Sequence, residues 1–579
     1  MNNDSILDLR FEGRLDVKSN KLFNIISNDL RTEFNNLITD LSMPNIDNID
    51  WWVNGVPSRN TFASPFFHYF CCIHFVYHIN KIDILKFNKI IVDTQSLKKI
   101  IDSIIFKNET KKKSTVIVNT NIRLMTKQLL KRYFGDVYML FYNTIKLLIA
   151  KSFFKTNSLP NKQLVLIDTF IISGYTDSKR WYGCLWDNLP LEIKNHTYFV
   201  YTITHSSVIK LFCIYSKLKK NKENYIVKEV YLHFSDLLIA FNYKKRLKQI
   251  KVKKIEVLNH NISALIEESL FDSTNIFGAQ GALLMHRFIY RLREKKIKVR
   301  LAIDWFEGQI LDKAWNLGFH TFYSQTNTIA YRPFESYPLY LCSFPIPIEC
   351  EAGVVPQVFA LQGCKTAESV KEFVQDLKTI LIPAYKSGHV WGEKSHVGKK
   401  KTNNILVALP ISINVSKHII ALIIETSNNF VNKNTVHKFI LKPHPTVSNN
   451  KIYDFLTKSF PLNVVFTNEK SLSVLLHSAK VLITEASSTC LESIAIGVPV
   501  ILIKREDGLF QNPIPKGIDE KLFRICSSKV ELKDALNYYL LMRKSERNNL
   551  IINGHAVRKQ YFQPITSDGT NRFMGFYQT

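Results

Sequence analysis

The chain reads as an α/β protein made of two doubly wound, Rossmann-type domains that face a central cleft. Three observations predict this. From about residue 89, short β-branched runs alternate with helical stretches, the pattern of parallel sheets covered on both faces. A Gly-, Ser- and Lys-rich stretch without hydrophobic period, "YKSGHVWGEKSHVGKKKTN" (385–403), divides that alternation in two. Finally, 579 residues exceed what one hydrophobic core organises.

In chain order, residues 1–88 form an aromatic-rich segment expected to pack on the first domain, with "WWVNGVPSRNTFASPFFHYFCC" (51–72) its most apolar part. Residues 89–384 are expected to be the first Rossmann-like domain. Its strands would be "KIIVDT", "STVIVNT", "QLVLIDTF", "TYFVYTIT", "VRLAID" and "HTFYSQT", with helices at 123–134 and 281–296. After the linker at 385–403, residues 404–560 repeat the pattern as a second Rossmann-like domain. Strands "NILVALPIS", "HKFILKPHP", "NVVFT", "KVLIT" and "PVILI" alternate there with helices near 415–427, 451–459, 471–479 and 488–496, and 561–579 reads as a tail.

With 77 Lys and Arg against 49 Asp and Glu, the formal charge is +28, a field that attracts phosphates, anionic lipid or acidic glycans. The bland reading of the basic runs is solvated helix faces. No nucleic-acid signature accompanies them, so nucleic acid is excluded as the expected partner. The nine cysteines are scattered and lack CxxC pairs, which argues against a disulfide framework or a zinc site and for the cytoplasm. The start carries acids and no apolar core, unlike a signal peptide. The stretches 66–79 and 137–154 are too short or too broken by Lys146 and Lys151 to span a bilayer, and read as buried or interfacial helices. The expected location is cytoplasmic, with peripheral contact to the inner face of the cytoplasmic membrane.

The densest chemistry lies in "AKVLITEASSTCLESIAIGVPVILI" (479–503). A buried strand ends at Thr484, a small-residue turn Glu485-Ala486-Ser487-Ser488-Thr489 follows, and a helix runs toward Gly497. Free N–H groups at that helix start, with three hydroxyls beside them, suit a phosphate. The competing structural reading makes Thr489 and Glu492 a capping box. His444 in "KPHP" stands at another strand end of the same sheet, held between prolines that fix its backbone. Its imidazole suits proton donation to, or contact with, a leaving phosphate. Alternatively the prolines only end a strand.

"KFILKPHP" followed by "VLITEASSTCLESIAIGVPVILI" resembles the carboxyl-terminal domain of GT-B glycosyltransferases of bacterial surface-carbohydrate synthesis. These include capsule Kdo transferases, sialyltransferases with HP and serine motifs, and polyol-phosphate polymerases. The segments "WWVNGVPSRNTFASPFFHYFCC", "IDTFIISGYTDSKRWYGCL" and "LAIDWFEGQILDKAWNLGF" are similar to a group of surface-carbohydrate biosynthesis proteins from O-antigen-type loci, so the resemblance runs from about 50 to 505. It implies a GT-B-like fold in which His444 contacts the donor's nucleotide phosphate and Ser487, Ser488 and Thr489 hold phosphate or a donor carboxylate. Glu492 would touch the ribose, with Glu485 and Lys442 at the same phosphate site. The sequence departs from HP-motif sialyltransferases in lacking an acidic D/E-D/E-G triplet ahead of HP. Its only such triplet, Glu506-Asp507-Gly508, comes after the serine motif.

The base is therefore sought in "AIDWFEGQ", where Asp304 and Glu307 end a strand beside Trp305 and Phe306. The alternative is that Asp304 caps the next helix and Glu307 complements its dipole. Asp177 and Arg180 in "GYTDSKRWYG" are weaker candidates for acceptor or donor contacts, and an exposed turn explains them nearly as well. No Asp-x-Asp or His/Cys cluster offers a metal site, so transfer without metal or cofactor is expected. The expected activity moves a sugar from a nucleotide-sugar co-substrate, CMP-activated acidic sugars such as Kdo or a nonulosonate favoured, to a surface polysaccharide or lipid-linked oligosaccharide. The alternatives are a CDP-polyol phosphotransferase, a sugar-nucleotide epimerase, or a non-catalytic scaffold at the membrane.

Overall fold

The computed structural model describes residues 6–82, 87–106, 115–118, 122–154, 159, 162–172, 175–203, 207–392, 403–432, 435–447, 461–504 and 508–575. Three parallel sheets organise it. The first is small: strand β1 (Ile6–Asp8) pairs with β2 (Lys89–Val92), which pairs with β3 (Thr115–Val118). The expected strands at 89–92 and 115–118 thus belong with the amino-terminal segment and not with the first large sheet. Their partner, β1, is three residues long and shows no local period.

The second sheet has seven strands: β4 (Leu164–Ile171), β5 (Thr197–Ile203), β6 (Tyr225–Val227), β7 (Val299–Trp305), β8 (Asn327–Arg332), β9 (Val358–Leu361) and β10 (Thr379–Leu381). They lie in the order β10-β9-β8-β7-β4-β5-β6, all parallel. The middle strands are buried at almost every residue because helices cover both faces, and β4, LVLIDTFI, is the most continuously apolar of them. The expected strand "HTFYSQT" is instead the end of the helix Ile310–Phe322 and a turn, and β8 starts at Asn327.

The third sheet has six parallel strands: β11 (Asn404–Ala408), β12 (Lys438–Lys442), β13 (Val464–Phe466), β14 (Ala479–Thr484), β15 (Val500–Ile503) and β16 (Phe523–Cys526), in the order β13-β12-β11-β14-β15-β16. The expected helix at 451–459 lies outside the described residues. Two doubly wound parallel sheets of seven and six strands are the GT-B-like arrangement the sequence predicts.

Three segments tie the domains together. Asn20 and Asn24, in the helix Val17–Asp29, donate to the Gly508 carbonyl at 2.9 and 3.1 Å, so the amino-terminal segment reaches the third sheet's domain. It is fixed to the second by Arg59, whose guanidinium is buried against Glu349 at 2.5 Å, with Lys313 on the same carboxylate at 2.7 Å. The expected linker begins as built structure: Tyr385, Ser387 and Val390 are buried, and Tyr385 donates to Thr570 Oγ1 at 2.8 Å. Its part at 393–402 lies outside the described residues. The expected tail is also structural. Gln563 pairs with Gln362 and Ala384, and Phe573 and Met574, in the helix Ser567–Met574, are fully buried. Apolar anchors in otherwise polar stretches fix both segments.

Candidate functional site

In an open parallel sheet, ligands bind outside the carboxyl ends of the strands where successive connections diverge. In the second sheet β4, β5 and β6 wind outward one way and β7 to β10 the other, so the divergence lies between β4 and β7. In the third sheet it lies between β11 and β14, which Thr484 bridges by donating to the Ala408 carbonyl at 2.9 Å. Groups from the two points lie within electrostatic reach of one another: Arg180 and Lys386 act on His444, and Glu307 and Glu485 both act on Tyr337.

The wall from the second sheet begins at the end of β7. Trp305 Nε1 donates to Glu307 Oε1 at 2.8 Å, and Gln309 Nε2 and the Tyr340 hydroxyl donate to Oε2 at 2.5 and 3.3 Å. Three donors fix the carboxylate plane, and of its roughly four lone-pair sites one stays open. Glu307 is half-buried. Gly308 makes the turn (φ 77°), where a Cβ would strike the Cys342 carbonyl at 1.7 Å. Asp304 is different. It is fully buried, bonded through Oδ2 to Asn316 Nδ2 at 2.8 Å, and burial, with Asp312 and Asp168 nearby, pushes its carboxyl well up. It points into the core and cannot serve a substrate in the cleft, which corrects its assignment as a candidate base. Nor does Asp304 cap the next helix: the N-cap is Gln309, and Asp312 in the first turn accepts from the Glu307 and Gln309 N–H groups at 2.9 and 3.0 Å.

Arg180 lies against Tyr175 and Trp181, 4.7 and 5.4 Å from their ring centroids, and Trp181 meets Trp305 edge-on at 5.0 Å. Burial lowers the Arg180 pKa, and its Nε has no hydrogen-bond partner among the described residues. Asp177 holds the preceding turn, accepting from the Lys179 N–H at 3.2 Å.

Opposite, His444 Nδ1 lies 2.7 Å from the Thr446 hydroxyl and accepts from the Thr446 N–H at 3.3 Å. The proton of the neutral ring therefore sits on Nε2. Burial, together with Arg180 and Lys386, holds its pKa down at about 4, so the ring is a neutral donor near pH 7. Lys442 turns away from it, donating to the Asn468 carbonyl at 2.9 Å. At the serine turn, Ser487 Oγ accepts from the Thr489 N–H at 3.3 Å, and Ser488, already helical, makes no capping bond. Thr489 is buried at the start of the helix Thr489–Ala495. The capping-box reading of Thr489 and Glu492 does not hold, because Glu492 accepts from Ser387 Oγ at 2.8 Å and pairs with His389 at 3.5 Å. Glu492 braces the segment joining the domains. Burial raises the pKa of the Tyr337 hydroxyl, and Cys490, Glu307 and Glu485 add to the rise.

Lys386 was hidden in the presumed linker. Its ammonium lies 4.7 Å from the Trp305 ring centroid; burial lowers its pKa, opposed by Glu492 from one domain and Glu307 from the other. The apolar pair Ala384-Tyr385 just before it was the signal that the chain is still packed there. Tyr337, Tyr340 and Ser387 were likewise missed, since each is a lone polar side chain in a loop. Glu506 and Asp507 lie outside the described residues. Among the described residues no group of three His, Cys, Asp or Glu side chains is arranged to hold a metal ion.

No protein-family model matches the chain, and no curated protein sequence matches it significantly. Solved structures resemble it at low identity. An S. aureus MnaA–UDP co-structure is 11% identical with a TM-score of 0.42, over 71% of this chain and 95% of that one. UDP-GlcNAc 2-epimerase from Neisseria meningitidis bound to UDP-GlcNAc is 13% identical at 0.41, over 72% and 100%. Acinetobacter baumannii MurG is 11% identical at 0.37, over 72% and 99%.

Proposed function

We propose that the protein is a glycosyltransferase that moves a sugar from a nucleotide-activated donor to a hydroxyl of a surface glycan or lipid-linked glycan. One observation carries this reading: charged groups near the divergence points of two parallel sheets act on one another, Glu307 and Glu492 on Lys386, and Arg180 and Lys386 on His444. Glu307 stands on one wall, His444 and Ser487–Thr489 on the other, and Lys386 between them. The acceptor oxygen would attack the donor's anomeric carbon as Glu307 takes its proton. The bond from that carbon to the phosphate oxygen breaks, and its electron pair leaves with the nucleotide. His444 Nε2–H, Arg180 and Lys386 would meet the charge that develops on the leaving phosphate. Asp177, Lys442 and Glu492 support this arrangement only indirectly.

The pairing of the HP and serine motifs makes a CMP-linked acidic sugar the donor to test first. Nucleotide release from CMP-, CDP-, UDP- and GDP-linked donors, with and without an acceptor glycan, distinguishes the alternatives. Acceptor-dependent release supports transfer of a sugar. Consumption of donor without acceptor would instead assign an epimerase or hydrolase, and release of CMP from a CDP-polyol would assign a phosphotransferase.

A further inference from the structure

The long helix Ile122–Phe153 has two different faces. Met139, Tyr142, Leu147 and Ala150 are buried against the second sheet's domain. On the other side Phe134, Val137, Tyr138, Phe141 and Leu148 are each 58–66% exposed. At about 100° per residue these five fall within an arc of about 100°, a single stripe some 21 Å long. The stripe continues onto the helix Val208–Leu218, because Phe212 rests edge-on against Phe153 at 5.7 Å and Ile209 beside it is 78% exposed. Water-soluble surfaces scatter large apolar side chains; a contiguous row of aromatic and aliphatic groups marks a contact.

The charge around the row selects the contact. Lys151, Lys210, Lys217, Lys219 and Lys220 are exposed on the same two helices and the turn after the second, and Lys219 Nζ lies 5.1 Å from the Phe153 ring. Within 134–153 and 207–220 the one acidic residue is Asp136, which accepts from Gln280 at 3.1 Å and pairs with Lys244 at 3.9 Å. A second copy seated symmetrically on this face would set lysines against lysines. An anionic sheet with an apolar interior satisfies both components. We propose that this face docks on an anionic phospholipid bilayer, with Phe134, Tyr138, Phe141 and Leu148 entering the boundary between headgroups and acyl chains and the lysines meeting lipid phosphate. Among the described residues no helix is long and apolar enough to cross a membrane, so the helix would lie in the plane of the surface. This docking stands independently of the donor chemistry proposed above.

The test is flotation of the full chain with phosphatidylcholine vesicles with and without phosphatidylglycerol, over a salt series. The wild type should float with the anionic vesicles and more weakly as salt rises. Phe134→Ser/Phe141→Ser/Leu148→Ser should lose at least tenfold in bound fraction with an unchanged melting temperature. Lys210→Gln/Lys217→Gln/Lys151→Gln should lose the salt-dependent share. The single change Phe141→Lys discriminates further: it adds a cation, so binding by charge alone would strengthen, whereas insertion of the ring requires it to weaken. Failure of the wild type to float overturns the proposal. So does strengthened binding of Phe141→Lys, or a wild-type dimer that the triple serine variant converts to monomer.

Discussion

The ammonium of Lys386 lies 4.7 Å from the centre of the Trp305 indole, joining the segment between the domains to the end of strand β7. The position puts a cation between Glu307 and Glu492, one from each domain. Replacing Lys386 by Gln removes that cation while preserving a hydrogen-bonding side chain. Nucleotide affinity should fall about tenfold, or 1.4 kcal/mol, as measured by calorimetry. Unchanged affinity would remove Lys386 from the phosphate site.

Glu307→Gln should separate chemistry from donor binding. The donor's nucleotide is assigned to the opposite wall, so nucleotide affinity should stay within about twofold. Turnover should drop on the order of 10²- to 10⁴-fold, the usual weight of a positioned base. Asp304→Asn, inside the core, should leave the pH profile of turnover in place.

His444 gives a proton-linked signature. Its ring, held near pKa 4 by burial and by Arg180 and Lys386, is neutral near pH 7, and a bound phosphate would raise that value. Nucleotide binding at about pH 5.5 should then take up protons, and affinity should rise as pH falls from 7 toward 5. Titrations in buffers of different ionisation enthalpy measure the uptake, which His444→Ala should abolish.

Stability should fall with acid for a separate reason. Burial lowers the His68 pKa from 6.5 to about 4, and the Leu9 carbonyl at 2.9 Å accepts its Nε2–H. The unfolded chain takes up this proton below about pH 6.5 and the native state only near 4. The contribution is therefore complete above 6.5 and lost as pH falls through the window, roughly 3 kcal/mol in all. His74 and His286 act in the same direction. Melting temperatures between pH 7 and 4 should show the decline, with a shallower slope in His68→Gln.

The Arg59–Glu349–Lys313 cluster anchors the amino-terminal segment with all three side chains at or below 1% exposure. Glu349→Ala leaves two buried cations without their carboxylate and should cost about 3–5 kcal/mol in chemical unfolding. A loss below about 1 kcal/mol would mean that the segment is held by its apolar contacts alone.

The parts of this fold that sequence made visible are those with local periodicity. Strands β4, β5, β7, β11, β14 and β15 are apolar runs long enough to declare themselves. Strand β1 and the edge strand β16, "FRIC", are three and four residues long and depend on partners elsewhere in the sheet. At the candidate site, His444 and Ser487–Thr489 stand out in the sequence because motif and strand end coincide. The strand order that puts Glu307 beside a divergence point is a property of pairing that no local window contains. Lys386 was lost because a lysine in a Gly- and Ser-containing stretch reads as linker, although Tyr385 and Val390 bury their side chains on either side of it. Asp304 and Glu307, three residues apart, looked equivalent until the turn at Gly308 sent one to the cleft and left the other in the core.

The central claim, that the cleft holds a nucleotide, is tested most directly by melting the protein in the presence of CMP, CDP, UDP and GDP, alongside Lys386→Gln/His444→Ala. A nucleotide at one hundred times its dissociation constant should stabilise the wild type by about 2.7 kcal/mol and the double variant by much less. Indifference of the wild type to all four nucleotides would contradict it.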